Sequence, residues 1–101
     1  MLEQKIVDLV REFQIEWSNH VVRRMLQRGI SREEVLECLL SDEIIEEYPT
    51  DFPFPSYLIL GYYGDKPLHI VCSVGQGKLW IITVYRPSTD RWFDDFKTRR
   101  R

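Results

Sequence analysis

The feature that most constrains the fold is a set of three apolar segments that follow one another closely in the second half of the chain. They are YLILGYY, LHIVCSV and KLWIITVY, and only GDKP and GQG separate them. Segments rich in β-branched and aromatic residues, joined by short turn signals, are typical of an antiparallel meander. The earlier EIIEEY, joined to them through the proline-rich YPTDFPFPS, adds a strand. We therefore predict a four-stranded, mainly antiparallel sheet.

Helical spacing dominates the first 41 residues. Apolar side chains recur at positions 2, 6, 9, 10 and 13, which predicts a helix over residues 2–13, followed by a short extended piece, QIEW. A second helix should be capped by Ser18 or Asn19 and end at Gly29, and a third should begin at the capping box SREE. The side of the second helix predicted to face the core carries Val21, Val22, Met25 and Leu26.

Helices followed by strands predict an α+β fold with the N-terminal helices packed on one face of the sheet. At 101 residues the chain is long enough for one core, so we expect a single domain over residues 1–101. Its helical part should span about residues 1–41, its sheet part about 43–86, and a C-terminal helix or tail 88–101. Within that last part, TDRWFDDF is expected to form a short helix that buries Trp92, Phe93 and Phe96.

Alternation along the last two strands indicates which side chains share a face. If the hairpin turns through residues 75–77, Val74 pairs with Lys78 and His69 lies opposite Thr83, with Tyr85 on the same side. The other face is fully apolar and should contact the helices. We therefore expect the face with His69, Thr83 and Tyr85 to stay partly open.

Composition excludes some classes of function and leaves others open. No apolar run approaches the ~20 residues of a membrane span, so we expect a cytoplasmic protein with no membrane partner. Cys38 and Cys72 lie in apolar runs without metal-ligand spacing, which predicts buried thiols and neither a metal nor another cofactor. The net charge of −2 hides an uneven distribution: residues 33–51 carry eight acidic and no basic side chains, whereas the last eleven carry five basic and two acidic. Because local patches attract polyanions, nucleic acid remains a candidate ligand.

The second helix carries a polar ridge. His20, Arg24 and Arg28 recur every four residues and therefore lie along one side of it. A histidine suits proton transfer near neutral pH, and a guanidinium matches phosphate oxygens, which together are the groups that metal-free cleavage of RNA requires. The alternative is a solvent-exposed helix face whose arginines pair with the acidic residues that follow.

Several motifs in order resemble one protein family. The segments SNHVVRRMLQRGIS, SREEVLECL, PLHIVCSV and IITVYRP are similar to the domain of unknown function 4258 family of small bacterial proteins, over roughly residues 15–87. Such proteins resemble RelE-like toxins within the barnase–EndoU–colicin–RelE group of compact α+β ribonucleases. They are often encoded beside small antitoxins of zinc-finger or helix-turn-helix type. The resemblance thus implies a RelE/barnase-like fold, RNA as substrate, free or on the ribosome, and a cognate antitoxin as partner.

The same resemblance implies roles for individual residues. His20 would transfer protons, Arg24 would stabilise the scissile phosphate, and Tyr85 would donate a hydrogen bond or stack on a base. His69 would be either a second proton-transfer group or a strand histidine without function. The substrate- and phosphate-binding set implied beside the catalytic residues consists of Arg28, Thr83, Arg86 and His69.

Three hypotheses of function follow. The first is a metal-independent endoribonuclease toxin of a toxin–antitoxin pair, which cleaves RNA by 2′-hydroxyl attack. The alternative is a non-catalytic RNA- or protein-binding module of the same fold. The third is an antitoxin-like or immunity protein whose acidic segment, residues 33–51, binds a basic partner.

Overall fold

The structure is a computed structural model, which describes residues 2–41 and 43–100. Three helices and five strands form in this part of the chain. In chain order they are α1 (Leu2–Arg11), β1 (Ile15–Trp17), α2 (Asn19–Arg28), α3 (Arg32–Leu40), β2 (Glu43–Tyr48), β3 (Ser56–Tyr63), β4 (Lys66–Gly75) and β5 (Lys78–Tyr85).

The strands form one mixed sheet in the order β1-β5-β4-β3-β2. The antiparallel meander of β2 to β5 and the α+β class are confirmed. The sheet has five strands and not four, because the extended piece QIEW pairs in parallel with β5, Ile15 lying opposite Leu79. Three residues are too few to show strand periodicity in the sequence. This segment becomes a strand because it pairs with β5, whose edge would otherwise be free.

The helix boundaries largely follow the predicted caps. The Ser18 hydroxyl accepts a hydrogen bond from the Val21 amide at 3.0 Å, and Ser31 accepts one from the Glu34 amide at 3.1 Å. Gly29 ends α2 with φ at 66°, a left-handed conformation that glycine adopts without strain. The first helix ends at Arg11, before Phe13, whose side chain is exposed.

The helices cover one face of the sheet, as predicted. One correction concerns Leu26, which was expected in the core and is 79% exposed. Val21 and Met25 lie four residues apart on the buried side of α2, and Leu26, one residue further round, points away from it. The buried side chains of the sheet on this face include Ile59, Leu68, Ile70, Cys72, Leu79, Ile81 and Val84, and those of the helices include Ile6, Val21, Val35, Cys38 and Leu39.

The hairpin between β4 and β5 has a different register from the predicted one. Its loop is Gln76-Gly77, both with positive φ, and Gly75 pairs with Lys78. A bulge at Ile82 then shifts the pairing, so that His69 lies opposite Tyr85 and not Thr83. Thr83 pairs with Val71, two residues from His69, so the three predicted side chains do share the face away from the helices.

The C-terminal residues do not form the predicted helix. Residues 88–100, called here the closing segment, fold back on themselves, and Trp92 bridges to Arg99. The carboxylate of Asp95 accepts hydrogen bonds from the amides of Lys97 and Thr98, which fixes a turn where a helix would need to continue. Trp92 is buried as expected, whereas Phe93 is 45% exposed.

No helix in residues 2–41 and 43–100 is long and apolar enough to cross a membrane.

Cys38 and Cys72 are both buried thiols, and burial raises the pKa of Cys38 to about 11. The Cys38 thiol is therefore not placed for reaction at neutral pH.

Candidate nucleic-acid interface

The polar ridge on α2 exists, but its groups are spread out. His20 and Arg24 are exposed, and no described residue forms a hydrogen bond or an ion pair with the His20 ring. Arg24 donates a hydrogen bond to the Gln27 side chain at 3.3 Å. At about 1.5 Å per residue, His20 and Arg28 lie about 12 Å apart along the helix axis. The ridge is therefore an open surface.

Two of the predicted phosphate-binding arginines meet at the end of β5. Arg28 donates a hydrogen bond from Nη1 to the carbonyl oxygen of Val84 at 2.6 Å. Arg86 binds the carboxylate of Glu34, with Nη2 3.0 Å from Oε2, and also approaches the Gly29 carbonyl. The Glu34 side chain, predicted as half of a capping box, is thus occupied by Arg86. Both arginines fasten the turn between α2 and α3 to the sheet.

His69 is fully buried, on a face that was predicted to stay partly open. The closing segment covers it: the Trp92 ring packs edge-on against the imidazole, with ring centres 4.5 Å apart. His69 Nε2 lies 2.8 Å from the Phe96 carbonyl oxygen, and Nδ1 lies 3.1 Å from the Tyr85 hydroxyl. Burial lowers the pKa of His69 below its ordinary value of 6.5. The prediction of an open face is wrong at this residue, because a hydrophobic ring closes over it.

Ion pairs hold the closing segment against the edge strand β2. Arg99 binds the carboxylate of Glu46 through Nε at 2.8 Å and Nη2 at 3.0 Å. Lys97 lies 3.0 Å from Glu43 on the same strand. Hydrogen bonding to Arg99 lowers the pKa of Glu46. Together with Glu34, which pairs with Arg86, three residues of the acidic segment thus have basic partners within the chain.

A pocket of about 410 Å³ lies where β5 meets the closing segment. We call it the β5 pocket, and the polar and aromatic side chains that line it are Tyr85, Arg86, Ser88, Arg91, Trp92 and Arg99. Among them Arg86 and Arg99 are committed to carboxylates. Arg91 is exposed, and no described residue forms a hydrogen bond or an ion pair with its guanidinium. The pocket thus combines one uncommitted positive charge with two partly neutralised ones.

The structure brings some of the predicted site residues together and separates others. Tyr85 and Arg86 line the β5 pocket. His69 contacts the hydroxyl of Tyr85, and Arg28 contacts the carbonyl oxygen of Val84, one residue before Tyr85. Residues of the predicted set that do not line this pocket are His20, Arg24, Arg28, Thr83 and His69.

The closing segment contributes two arginines that are absent from the predicted site, Arg91 and Arg99. The signal was present, since the last eleven residues carry five basic side chains. Their placement could not be predicted, because it depends on Trp92 burying itself against His69 and on Arg99 reaching β2.

A second, more apolar groove of about 480 Å³ lies on the same sheet face, near the β4–β5 turn. Phe52 stands at its rim and is 94% exposed, and the rings of Phe54 and Trp80 stack with centres 6.3 Å apart. Trp80 donates its indole N–H to the Gly75 carbonyl. The loop before β3 thus packs Phe54 over this end of the sheet and leaves Phe52 exposed.

Comparison with known families gives one result. Residues 17–86 match the model of a family described as domain of unknown function (DUF4258). No curated protein and no solved structure gives a significant match. The matched region ends at Arg86, so it contains Tyr85 and the α2 ridge but not the closing segment.

Proposed function

The chain belongs to the DUF4258 family, and from this premise we propose that it is a metal-independent endoribonuclease that binds RNA at the β5 pocket. The proposal keeps the RelE-like interpretation of the fold and cleavage by 2′-hydroxyl attack. It moves the proposed reaction centre from the α2 ridge to the end of β5.

The observation that supports the proposal is the composition of the β5 pocket. Three arginines and a tyrosine line one concave site. Guanidiniums bind phosphate oxygens through parallel N–H groups, and Arg91 has no carboxylate that competes with such a ligand. Arg86 and Arg99 keep their positive charge beside Glu34 and Glu46, and their carboxylate partners hold them in place.

In the proposed reaction the pocket stabilises the developing charge, and water carries the protons. The 2′-oxygen forms a bond to phosphorus while the bond from phosphorus to the 5′-oxygen breaks, leaving a 2′,3′-cyclic phosphate. The 2′-hydroxyl proton passes to a water molecule, and the leaving 5′-oxygen takes a proton from water. Arg91 stabilises the additional negative charge of the phosphorane.

The test is cleavage of an end-labelled RNA in EDTA, with and without ribosomes, and with the product ends identified. We expect the wild type to leave 2′,3′-cyclic phosphate, and Arg91→Gln to lower the rate by about 10²-fold, as for other removed charge-stabilising donors. The matched control is Arg24→Gln, an exposed arginine outside the pocket, which should cleave like the wild type. Loss of cleavage in His20→Ala with normal cleavage in Arg91→Gln would return the centre to the α2 ridge.

A non-catalytic RNA-binding module is the second candidate. The positions and contacts of the two histidines favour it. No described residue orients His20, and His69 is sealed from solvent, so no exposed histidine pair is available for proton transfer. This function predicts RNA binding that Arg91→Gln weakens, without cleavage by the wild type under either condition.

The family resemblance supports a further part of the proposal. A cytoplasmic toxin of this kind would be neutralised by a cognate antitoxin of zinc-finger or helix-turn-helix type. Growth arrest on expression, relieved by Arg91→Gln or by the product of an adjacent antitoxin gene, would test it. Growth arrest that persists in Arg91→Gln would contradict the link between toxicity and the β5 pocket.

A further inference from the structure

The hydrogen bonds around His69 fix the direction of the hydrogen bond that Tyr85 makes. The carbonyl oxygen of Phe96 can only accept a hydrogen bond, and it lies 2.8 Å from His69 Nε2. Nε2 must therefore carry a hydrogen. The other ring nitrogen, Nδ1, then carries a hydrogen only if the ring is a cation.

The surroundings of His69 favour the neutral ring. The residue is fully buried, and the Trp92 ring packs against it. Of the two charged groups that act on it from neighbouring elements, Glu46 on β2 favours the cation and Arg99 opposes it. These two are themselves ion-paired, so desolvation dominates. Nδ1 is thus an acceptor, and the Tyr85 hydroxyl donates its single hydrogen to it across 3.1 Å.

This arrangement leaves Tyr85 with lone pairs only. Its oxygen has donated its hydrogen inward, and no described residue donates a hydrogen bond to it. Tyr85 also lines the β5 pocket. A ligand group that meets this oxygen must therefore bring its own hydrogen, whereas the family resemblance implied that Tyr85 donates one or stacks on a base.

We propose that Tyr85 recognises the 2′-hydroxyl of ribose as a hydrogen-bond donor, and that His69 is the positioning residue that enforces this polarity. The proposal rests on RNA binding at the β5 pocket. Phosphate oxygens and ring oxygens of a nucleic-acid backbone can only accept hydrogen bonds, whereas the 2′-hydroxyl can donate one. With Arg91 holding the phosphate, Tyr85 then distinguishes RNA from DNA.

The first experiment measures binding of four labelled oligonucleotides of one sequence by fluorescence anisotropy in EDTA, with their intactness checked on a gel. They carry ribose, deoxyribose, 2′-fluoro or 2′-O-methyl sugars, and only the first has a 2′ hydrogen-bond donor. We expect the wild type to prefer ribose over 2′-fluoro by about 3- to 10-fold, the effect of one neutral hydrogen bond. Tyr85→Phe should bind ribose as weakly as 2′-fluoro and leave affinity for DNA unchanged. The control, Tyr62→Phe on the exposed part of β3, should keep the preference.

The second measurement tests the role of His69 without a substitution in the core. Long-range ¹⁵N–¹H correlation spectra of the imidazole should show a protonated Nε2 and an unprotonated Nδ1 at neutral pH. A cationic ring, or a hydrogen on Nδ1, would overturn the assigned polarity.

The outcomes separate this inference from the proposed function. Equal binding of all four oligonucleotides overturns the recognition of ribose and leaves nucleic-acid binding at the pocket intact. A preference for ribose that survives in Tyr85→Phe assigns the recognition to another residue. Failure to bind any of the four overturns both proposals.

Discussion

The guanidinium of Arg86 binds both carboxylate oxygens of Glu34, which lies 52 residues earlier in the chain. The Glu34 side chain is 6% exposed, whereas that of Arg86 is 36% exposed. A buried carboxylate depends on its partner, because its desolvation is otherwise not offset. This ion pair joins the start of α3 to the end of β5 and so borders the β5 pocket.

Removal of the arginine should therefore reduce stability. We expect Arg86→Ala to lower the free energy of unfolding by about 2–3 kcal/mol, less than for a fully buried pair because Arg86 is partly exposed. Arg24→Ala, on the exposed side of α2, should change it by less than about 0.5 kcal/mol. Urea unfolding of the three proteins measures both values. An Arg86→Ala protein of normal stability would show that the pair does not fasten these elements.

Trp92 should be the main anchor of the closing segment. It is 2% exposed and packs on the His69 ring, so Trp92→Ala should cost about 3 kcal/mol and speed amide hydrogen exchange in residues 88–100. Phe93→Ala is the matched control, since the neighbouring ring is 45% exposed. Unchanged exchange in Trp92→Ala would mean that the ion pairs to β2 hold the segment by themselves.

Stability should depend on pH through His69. Burial lowers the pKa of His69 in the native protein, while the unfolded chain protonates near 6.5. Below 6.5 the unfolded state therefore binds more protons, and the free energy of unfolding falls until the pH passes the lowered native pKa. Urea unfolding at pH 7 and pH 5.5 should show a loss in the wild type and in His20→Gln, and a smaller loss in His69→Gln. Equal losses in all three proteins would exclude His69 as the source.

The contact between α3 and β3 depends on a glycine. A Cβ atom at position 61 would lie 2.5 Å from the carbonyl oxygen of Cys38, whereas one at position 75 would meet the Phe54 ring. A side chain can move aside more easily than helix backbone, so Gly61→Ala should cost about 3 kcal/mol and Gly75→Ala clearly less. Thermal unfolding compares the two variants. A larger effect at position 75 would contradict this account of the helix packing.

Local signals explain why much of the fold could be predicted. Ser18, Gly29 and Ser31 act within a few residues of their own positions, so the boundaries of α2 and the start of α3 follow from the sequence. The meander follows from apolar segments separated by turns. The predicted register of the β4–β5 hairpin was wrong for two reasons. The two-residue turn shifts all pairs of the hairpin by one residue, and the bulge at Ile82 shifts the pairs beyond it, up to Tyr85, by one more.

The candidate site was harder to predict, because its groups come from distant parts of the chain. The four-residue spacing of His20, Arg24 and Arg28 does place them along one side of α2, yet the ridge is open and Arg28 bonds to a strand carbonyl. Arg91 and Arg99 follow the last strand in a segment that was predicted as a helix or a tail. Nothing local indicates that this segment turns back over the sheet.

The sequence by itself determined the α+β class and the helix caps, since each depends on periodicity or on a neighbour in the chain. Only the tertiary structure decided that His69 is buried, that Arg86 forms an ion pair with Glu34, and that Tyr85 lines a pocket with Arg91. The physical reason is that these contacts join residues far apart in sequence, and they form when the closing segment buries Trp92 and pairs its charges with β2. Burial and hydrogen-bond direction, which set the chemistry of Tyr85, are properties of that packing.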